Sequence, residues 1–343
     1  MADDLHTLVV GREAMACRFE VACNAGEFAD DTELAIEALD LVDRIEERIS
    51  IYRPDSELSR INALAAEGWV EVAADVWPLL VRARELWELT GGAFDIAAGA
   101  LVRAWGFLRR EGRTPDDDAL AAARAATGTQ HVEFDVEGRR VRFLRPGIEL
   151  NPGAIGKGWA LDRALAYLAT RGISSVLVHG GQSSVAARGT QGPAVGERHG
   201  WRVGLRHPLR PGRRLATITL DDAALGTSGS GMQFFIDRGR RLGHILDPRS
   251  GHPAEGVISA TVITPSAADA DALATALYVL GPPGLATIAP PGSATAAVLV
   301  VPAADGGPRV IVANLDDRAI RFEAEPGLQV ERAAAPPARS GPT

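Results

Sequence analysis

The chain has 343 residues, of which 46% are hydrophobic and 23% are charged, the balance of an ordinary globular protein. That length accommodates one large domain or two smaller ones. The formal net charge of −8 argues against a general nucleic-acid or anionic-membrane surface. Two cysteines, Cys17 and Cys23, are too few for a disulfide framework or a zinc site, so we expect ordinary core thiols.

The N-terminal residues are acidic and lack the basic segment and apolar run of an export signal. No stretch is apolar over the length that a membrane helix needs. We therefore expect a cytoplasmic protein without a membrane anchor and without nucleic acid as a partner.

The first part of the chain alternates strand and helix patterns. Apolar residues nearly alternate over 8–23, which predicts one or two strands around Gly11. Acidic capping residues and apolar residues at helical spacing predict an amphipathic helix over 30–49. A second helix is predicted over 75–90, where a Gly-Gly pair stops it.

Two short segments beside these helices carry candidate ligand contacts. The sequence SIYRPDSELSRIN, over 50–62, is typical of a capped turn into a short helix, with Tyr52 as an interface aromatic. The sequence TGGAFDIAAG, over 90–99, places Asp95 behind the Gly-Gly break. A carboxylate there contacts a ligand or caps the next turn, and both interpretations stay open.

The middle of the chain leads to a glycine-rich helix start. A surface loop over 109–118, a short Ala-rich helix near 117–127 and a hairpin over 132–143 come first. The sequence NPGAIGKGWALD, over 151–162, then opens a helix with three glycines and Lys157. Backbone N–H groups and an ammonium at a helix start suit a phosphate, and close packing of the helix is the alternative.

Two polar segments follow a buried strand at 173–178 and a loop-rich region at 189–214. The sequence GTSGSG, over 226–231, predicts a loop between strands that wraps a phosphate or a sugar, or a flexible hairpin tip. The sequence HILDPRSG, over 244–251, suits proton transfer or phosphate contact. A turn with a surface histidine is the alternative.

A candidate metal site lies on the helix that follows a predicted strand over 257–264. Ser266 is its expected N-cap and Gly281 its expected end. Asp271 and Thr275 are four residues apart, so carboxylate and hydroxyl lie on one face of the helix. Such oxygens are ligands for Mg²⁺, although an acidic residue near a helix N-terminus also complements the helix dipole.

Closing strands are predicted at 295–301, 308–313 and 319–323, and the Ala- and Pro-rich residues 328–343 are expected to form a disordered tail. No repeat or linker divides the chain, and candidate site residues come from both halves. We therefore predict one α+β unit over 1–327, with two lobes and a pocket between them.

Together these segments closely resemble the ApbE family, the FAD:protein FMN transferases, over roughly 15–325. One such motif alone is weak, whereas eight in the same order are specific. The matching segments are SIYRPDSELSRIN, TGGAFDIAAG, WGF at 105–107, NPGAIGKGWALD, HGG at 179–181, GTSGSG, HILDPRSG and ADALATALYVLG at 270–281. The resemblance implies an ApbE-like composite fold with an FAD pocket between two lobes.

The resemblance also implies a reaction. The family takes FAD as substrate, cuts its diphosphate and joins the FMN half to a Thr or Ser hydroxyl of a target protein; AMP is released and Mg²⁺ assists. The metal ligands would be the Asp271 carboxylate, the Thr275 hydroxyl and the Ala154 carbonyl, and His244 would assist the attacking hydroxyl. Tyr52 would stack on the flavin. The implied FAD contacts are Met15, Tyr52, Ala93, Phe94, Asp95, Asn151, Lys157 and Leu246.

Three positions depart from the family pattern. Asn151 stands where many members have Asp, Met15-Ala16-Cys17 replaces Met-Gly-Thr, and Ala274 replaces a further acidic residue of some members. Two other functions stay open: an FAD pyrophosphatase that gives FMN and AMP, and a flavin-binding protein without catalysis. A metal ion on the diphosphate requires Asp271 and Thr275 to lie beside the glycine-rich segment 153–158.

Overall fold

The computed structural model describes residues 6–109, 111–192, 199–210, 212–229, 234–303, 307–325 and 327–333. The helices in these ranges are α1 (Asp31–Ile49), α2 (Glu57–Leu64), α3 (Trp77–Leu89), α4 (Gly99–Ala104), α5 (Asp117–Ala125), α6 (Gly156–Thr170), α7 (Ala267–Leu280) and α8 (Leu285–Ile288). Single turns of 3₁₀ helix lie at Phe107–Arg109, Thr129–His131 and Pro282–Gly284. The strands are β1 (Thr7–Ala14), β2 (Cys17–Asn24), β3 (Val70–Glu71), β4 (Val132–Asp135), β5 (Arg140–Phe143), β6 (Val176–Gly180), β7 (Ser184–Arg188), β8 (Trp201–Arg206), β9 (Arg214–Leu220), β10 (Ala224–Gly229), β11 (Phe234–Asp237), β12 (Arg240–Gly243), β13 (Leu246–Asp247), β14 (His252–Pro253), β15 (Ser259–Thr264), β16 (Ala296–Pro302), β17 (Pro308–Ala313), β18 (Ile320–Phe322) and β19 (Gln329–Arg332).

One sheet joins the beginning and the end of the described chain. Its nine strands follow the order β1-β2-β6-β7-β10-β15-β16-β17-β19. Neighbouring strands are antiparallel except β17 and β19, which are parallel. Because β2 pairs with β6 across about half of the sequence, the two halves share one sheet, and the predicted mixed α+β class is confirmed.

Layers of apolar side chains cover both faces of this sheet. Helices α1, α6 and α7 pack on one face through residues such as Leu39, Leu161 and Leu277. The small sheet β18-β9-β8 covers the other face, where Ile218 packs with Val298. Cover on both faces explains why successive residues of β15 and β16 are almost all buried. Within the described residues, no helix is both long enough and apolar enough to cross a membrane.

Most predicted elements are present, and their local signals explain their ends. The side chain of Ser266 accepts a hydrogen bond from the Asp269 N–H at 3.2 Å, and Gly281, with φ of 66°, ends α7. Ser56 caps α2 in the same way by accepting from the Ser59 N–H at 3.0 Å. The other confirmed elements are α1, α3, α5, the β4–β5 hairpin and strands β15 to β18.

The strands predicted over 8–23 are β1 and β2, and the hairpin that they form turns at Met15 and Ala16. These two residues have φ of 49° and 58°, the left-handed conformation that a two-residue hairpin turn requires. Gly11 lies inside β1 opposite Glu20, and an added Cβ would lie 2.7 Å from the Arg18 guanidinium. The glycine therefore leaves room for a cross-strand arginine.

GTSGSG is a strand, not the predicted loop, as far as the structure describes it. Residues 226–229 belong to β10, which pairs with β7 on one side and with β15 on the other. Backbone N–H groups that bond within a sheet are not free to wrap a phosphate, so the loop prediction is wrong here. Ser230 and Gly231 lie outside the described residues.

Strand β19 lies within the segment that composition predicts to be a disordered tail. Gln329–Arg332 pair in parallel with β17, and Leu328 packs against the apolar layer between the two sheets. The prediction of disorder used the average composition of residues 328–343 and missed the short strand that includes Val330. It is therefore wrong for 329–332. Residues 334–343 lie outside the described part of the chain.

Candidate functional site

Asp271 is a buried carboxylate near the N-terminus of α7, and its side chain meets two other segments. Its Oδ2 accepts a hydrogen bond from the Gly158 N–H at 2.8 Å. The Ser184 hydroxyl lies 2.7 Å and 2.9 Å from its two oxygens. Burial raises the pKa of Asp271, while the positive charge of Lys157 and these hydrogen bonds act in the opposite direction. A cation beside this carboxylate would stabilise its charged form.

Gly158 brings the start of α6 against α7. A Cβ added at Gly158 would lie 2.0 Å from the carbonyl oxygen of Ala267, so only glycine fits this contact. The proposed closeness of Asp271 to the segment 153–158 is therefore present. For Gly158 itself, the geometry matches the close-packing alternative.

The hydrogen bond from Gly158 to Asp271 also deprives the Ala154 carbonyl of its usual helical donor. In a regular helix the Gly158 N–H would bond to the oxygen four residues earlier, that of Ala154. It bonds to Asp271 instead, and no N–H or side chain in the described ranges donates to the Ala154 oxygen. This carbonyl can therefore accept another partner, such as a cation.

Thr275 adds a hydroxyl one turn further along α7. Its Oγ1 donates to the backbone oxygen of Asp271 at 3.2 Å and lies 3.0 Å from the Ser228 hydroxyl on β10. Strand β10 approaches this closely because Gly226 has no side chain; a Cβ there would lie 2.4 Å from the Ala270 backbone. The glycines of both motifs thus bring backbone close to α7.

The oxygens around Asp271 suit a hard cation. In the part of the chain that the structure describes, no three His, Cys, Asp or Glu side chains form a metal cluster. One carboxylate, the Thr275 hydroxyl and the Ala154 carbonyl are nevertheless the oxygen ligand types that Mg²⁺ takes, with water completing its shell. The residues present therefore fit Mg²⁺ and do not suit a thiol- or imidazole-bound metal.

Asp162 fixes α6 against the first turn of α7. Its carboxylate accepts hydrogen bonds from the Ser266 hydroxyl at 2.8 Å and from the N–H groups of Ala267 and Ala268 at 2.7 Å and 3.0 Å. Two unpaired N–H groups at the start of α7 are thereby satisfied, together with the Ser266 hydroxyl. Sequence reasoning missed this role, although Asp162 closes the motif NPGAIGKGWALD.

The β1–β2 turn reaches the neighbourhood of Lys157. The Met15 N–H donates to the Glu46 carboxylate at 2.8 Å. Burial raises the pKa of the Cys17 thiol, the positive charge of Lys157 opposes this shift, and Asp271 adds to it. These interactions place the hairpin turn, the α6 start and Asp271 in one region.

Tyr52 and Asp95 have very different surroundings. Tyr52 is 70% exposed, and its hydroxyl donates to the Leu108 carbonyl at 3.3 Å, so its ring is accessible for stacking. Asp95 accepts from the Ala97 N–H at 2.8 Å and from the Thr129 hydroxyl at 2.7 Å, which is the capping alternative. Burial raises the pKa of Asp95, and these hydrogen bonds oppose the shift.

The two residues before Asp95 are core residues. Ala93 and Phe94 are buried, so their side chains pack in the interior of the protein. Asn151 holds the turn before α6, because its side-chain oxygen accepts from the Gly153 N–H at 2.9 Å. Its own N–H donates to the Ile96 carbonyl at 2.7 Å, which joins this turn to TGGAFDIAAG.

His244 and Leu246 lie in a second group of contacts, around the WGF segment. The ring centroids of His244 and Phe107 are 6.4 Å apart with planes near perpendicular. Leu246 is buried in a cluster with Trp105, whose indole N–H donates to the Gly251 carbonyl at 2.8 Å. The ring contact with Phe107 thus places His244 beside the WGF segment.

Both sequence and fold are similar to those of ApbE proteins. The ApbE family model matches residues 15–299. The FAD:protein FMN transferase of Vibrio cholerae is 34% identical over 74% of this chain and 75% of the relative, and that of Treponema pallidum is 35% identical over 71% and 70%. Among solved structures, the flavin transferase ApbE of Vibrio cholerae has a TM-score of 0.77 at 29% identity, covering 90% of this chain and 98% of that one. The apo flavinyl transferase ApbE of Pseudomonas stutzeri has a TM-score of 0.78 at 30% identity, covering 94% and 98%.

Proposed function

The chain belongs to the ApbE family, and we propose that it is an FAD:protein FMN transferase. In this reaction the FMN part of FAD is transferred to a Thr or Ser hydroxyl of a target protein, and AMP is released. The names of the relatives and the match over most of the chain support the activity. The observation that carries it is the buried Asp271 carboxylate beside the start of α6.

Mg²⁺ would be held by the Asp271 carboxylate, the Thr275 hydroxyl and the Ala154 carbonyl. When bound, Mg²⁺ supplies positive charge that stabilises the diphosphate oxygens during phosphoryl-type transfer. Lys157 follows the first residue of α6 and adds a second positive charge in the same region. Ser184 and the Gly158 N–H orient the carboxylate.

FAD would bind in a pocket between two lobes. The exposed ring of Tyr52 would stack on the flavin, where two flat apolar surfaces leave water together. Met15, Asn151 and Leu246 would contact FAD, as would Ala93, Phe94 and Asp95. The burial of the Ala93 and Phe94 side chains favours contact through their backbone groups.

His244 would accept the proton of the attacking hydroxyl, since imidazole titrates near neutral pH. A bond forms from the acceptor oxygen to the FMN phosphorus, the bond from that phosphorus to the bridging oxygen breaks, and AMP leaves with the bridging oxygen. On this proposal His244→Ala slows transfer and leaves FAD binding intact.

The proposal is tested by incubating the purified protein with FAD, Mg²⁺ and an acceptor protein that the Vibrio cholerae relative flavinylates. We expect the acceptor to gain the mass of FMN less one water. This gain should disappear when the acceptor Thr is replaced by Val. Asp271→Asn should abolish the gain while FAD still binds, because only the charge is removed.

The same experiment distinguishes the transferase from the two alternative functions. AMP and FMN formed without any acceptor adduct would identify an FAD pyrophosphatase, in which water replaces the hydroxyl. FAD binding with neither AMP nor adduct, for wild type and Asp271→Asn alike, would identify a binding protein without catalysis. Either result contradicts the transferase proposal.

A further inference from the structure

A cleft lies between α2 and α4, apart from the residues assigned to FAD and Mg²⁺. Its volume is about 650 Å³, within the range of cavities that hold ligands. It is called here the α2–α4 cleft. Its lining residues are Ile51, Ser59, Asn62, Ala63, Ala100, Arg103, Ala104, Arg113, Gly147, Ile148 and Glu149.

The walls of the α2–α4 cleft are held by defined contacts. The Asn62 side chain bonds to both backbone groups of Leu150, at 2.8 Å and 2.9 Å. The Gly99 N–H donates to the Glu149 carbonyl at 3.0 Å, where a Cβ at Gly99 would lie 2.6 Å from the same oxygen. Both walls are therefore anchored to the segment 147–150, and the cleft is a pre-formed feature of the fold.

The charged residues that line the cleft are Arg103, Arg113 and Glu149, which leave one net positive charge in a chain that is acidic as a whole. Arg103 and Glu149 form a two-pronged ion pair, at 2.7 Å and 2.9 Å, so their charges balance. Arg113 is exposed, its Nε donates to the Ala104 carbonyl at 3.3 Å, and no described carboxylate pairs with it.

One lining residue of the α2–α4 cleft is adjacent in sequence to a residue of the proposed flavin site. Ile51 lines the cleft and precedes Tyr52, whose hydroxyl bonds to Leu108. The segment from Arg103 to Arg113 also contains Phe107, whose ring contacts His244. A target segment bound against Ile51 would therefore lie beside Tyr52, the residue proposed to stack on the flavin.

We propose that the α2–α4 cleft binds an acidic segment of the target protein. This inference rests on the proposed transferase function, because a transferase must hold a second substrate beside FAD. The residues assigned to FAD do not line the cleft, which leaves it for that second substrate. The uncompensated charge of Arg113 favours carboxylate side chains on the partner.

The test measures binding without turnover. A short fluorescein-labelled peptide with one threonine flanked by aspartates is titrated with the full-length protein, and the same peptide with asparagines serves as its neutral counterpart. We expect the acidic peptide to bind at least about tenfold more tightly at low salt, and this difference to shrink as salt screens the charges.

Matched variants locate the binding. Arg113→Glu should remove the preference for the acidic peptide, and Arg113→Gln should reduce it by less. Arg202→Glu, at an exposed position on β8 in the small sheet, should leave the preference unchanged. Circular dichroism checks that each variant is folded, and exposed arginines are tolerant positions.

Three results would overturn the inference. The first is that the wild-type protein binds the acidic and the neutral peptide equally well. The second is that Arg202→Glu and Arg113→Glu lose the preference for the acidic peptide to the same extent. The third is that Arg113→Glu binds FAD more weakly while its affinity for the acidic peptide is unchanged. The last result would give the cleft to FAD. A wild-type protein that binds the acidic peptide but transfers no FMN to an acceptor protein contradicts the proposed function and leaves the cleft as a peptide site.

Discussion

Ser184 is the side chain that orients the carboxylate of Asp271. It is fully buried at the start of β7, and its one hydroxyl hydrogen lies between two acceptor oxygens, at 2.7 Å and 2.9 Å. The Gly158 N–H fixes the carboxylate from a second direction. Groups that bond to a metal ligand set its orientation, and their removal commonly lowers metal affinity about 10- to 100-fold.

Replacing Ser184 by Ala should therefore weaken Mg²⁺ binding by at least about tenfold, because the Asp271 carboxylate loses its second fixed partner. Titration calorimetry with Mg²⁺, in the absence of FAD, measures the effect directly. Ser174→Ala is the matched control, since Ser174 is exposed and lies outside the hydrogen bonds of Asp271 and Ser184. Equal affinity of Ser184→Ala and wild type would contradict this role.

The contact between α6 and α7 is the element on which the site depends. Asp162 of α6 caps the first turn of α7, and Gly158 lets the two backbones touch. Arg82 of α3 adds a two-pronged ion pair to Asp269, at 2.7 Å and 2.8 Å. The position of Asp271 relative to Lys157 thus follows from how two helices meet.

Gly158→Ala should lower the free energy of unfolding by about 3 kcal/mol or more, because its Cβ would lie 2.0 Å from the Ala267 oxygen. Urea unfolding monitored by circular dichroism measures the change. Gly68→Ala is the matched control, since a Cβ there meets nothing within 4 Å. Similar stability of the two variants would show that α6 and α7 adjust to the added methyl.

Elements whose ends are marked by local capping residues could be predicted from the sequence. Contacts between segments that are distant in sequence could not. Ser266 and Gly281 mark the ends of α7 locally, so its bounds were predictable. The small residues of GTSGSG are typical of a loop, so the sequence predicts one. In the structure they lie in β10, where Gly226 allows the strand to pack closely against α7. The Asp271–Thr275 pair follows from helical spacing, whereas Ser184 comes from a strand 87 positions earlier.

At the scale of the whole molecule, the β2–β6 pairing joins the N-terminal hairpin to the rest of the large sheet. Glu20 of β2 lies opposite His179 of β6, and its carboxylate is 2.8 Å from the imidazole Nε2. The Arg18 guanidinium, with His179 as a weaker contributor, holds the pKa of Glu20 below its usual range. Ionised Glu20 therefore stabilises this junction.

The pH dependence of stability follows from that shift. A carboxyl whose pKa is lower in the folded state contributes stability above its unfolded pKa, about 4.3, and loses it as pH falls through the folded value. Glu20→Gln should lower the melting temperature at pH 7, and its difference from wild type should shrink on acidification. Glu67→Gln, an exposed control, should track wild type. A constant difference between Glu20→Gln and wild type at every pH would contradict this assignment.

The parallel pairing of β19 with β17 has a consequence for shortened forms of the protein. A chain cut before Gln329 would expose the backbone N–H and C=O groups of an apolar strand, which offers a template for intermolecular strand addition. The natural outer strand carries Gln329, Glu331 and Arg332, whose polar and charged side chains discourage such growth. Four residues near the C-terminus thereby help to prevent self-assembly.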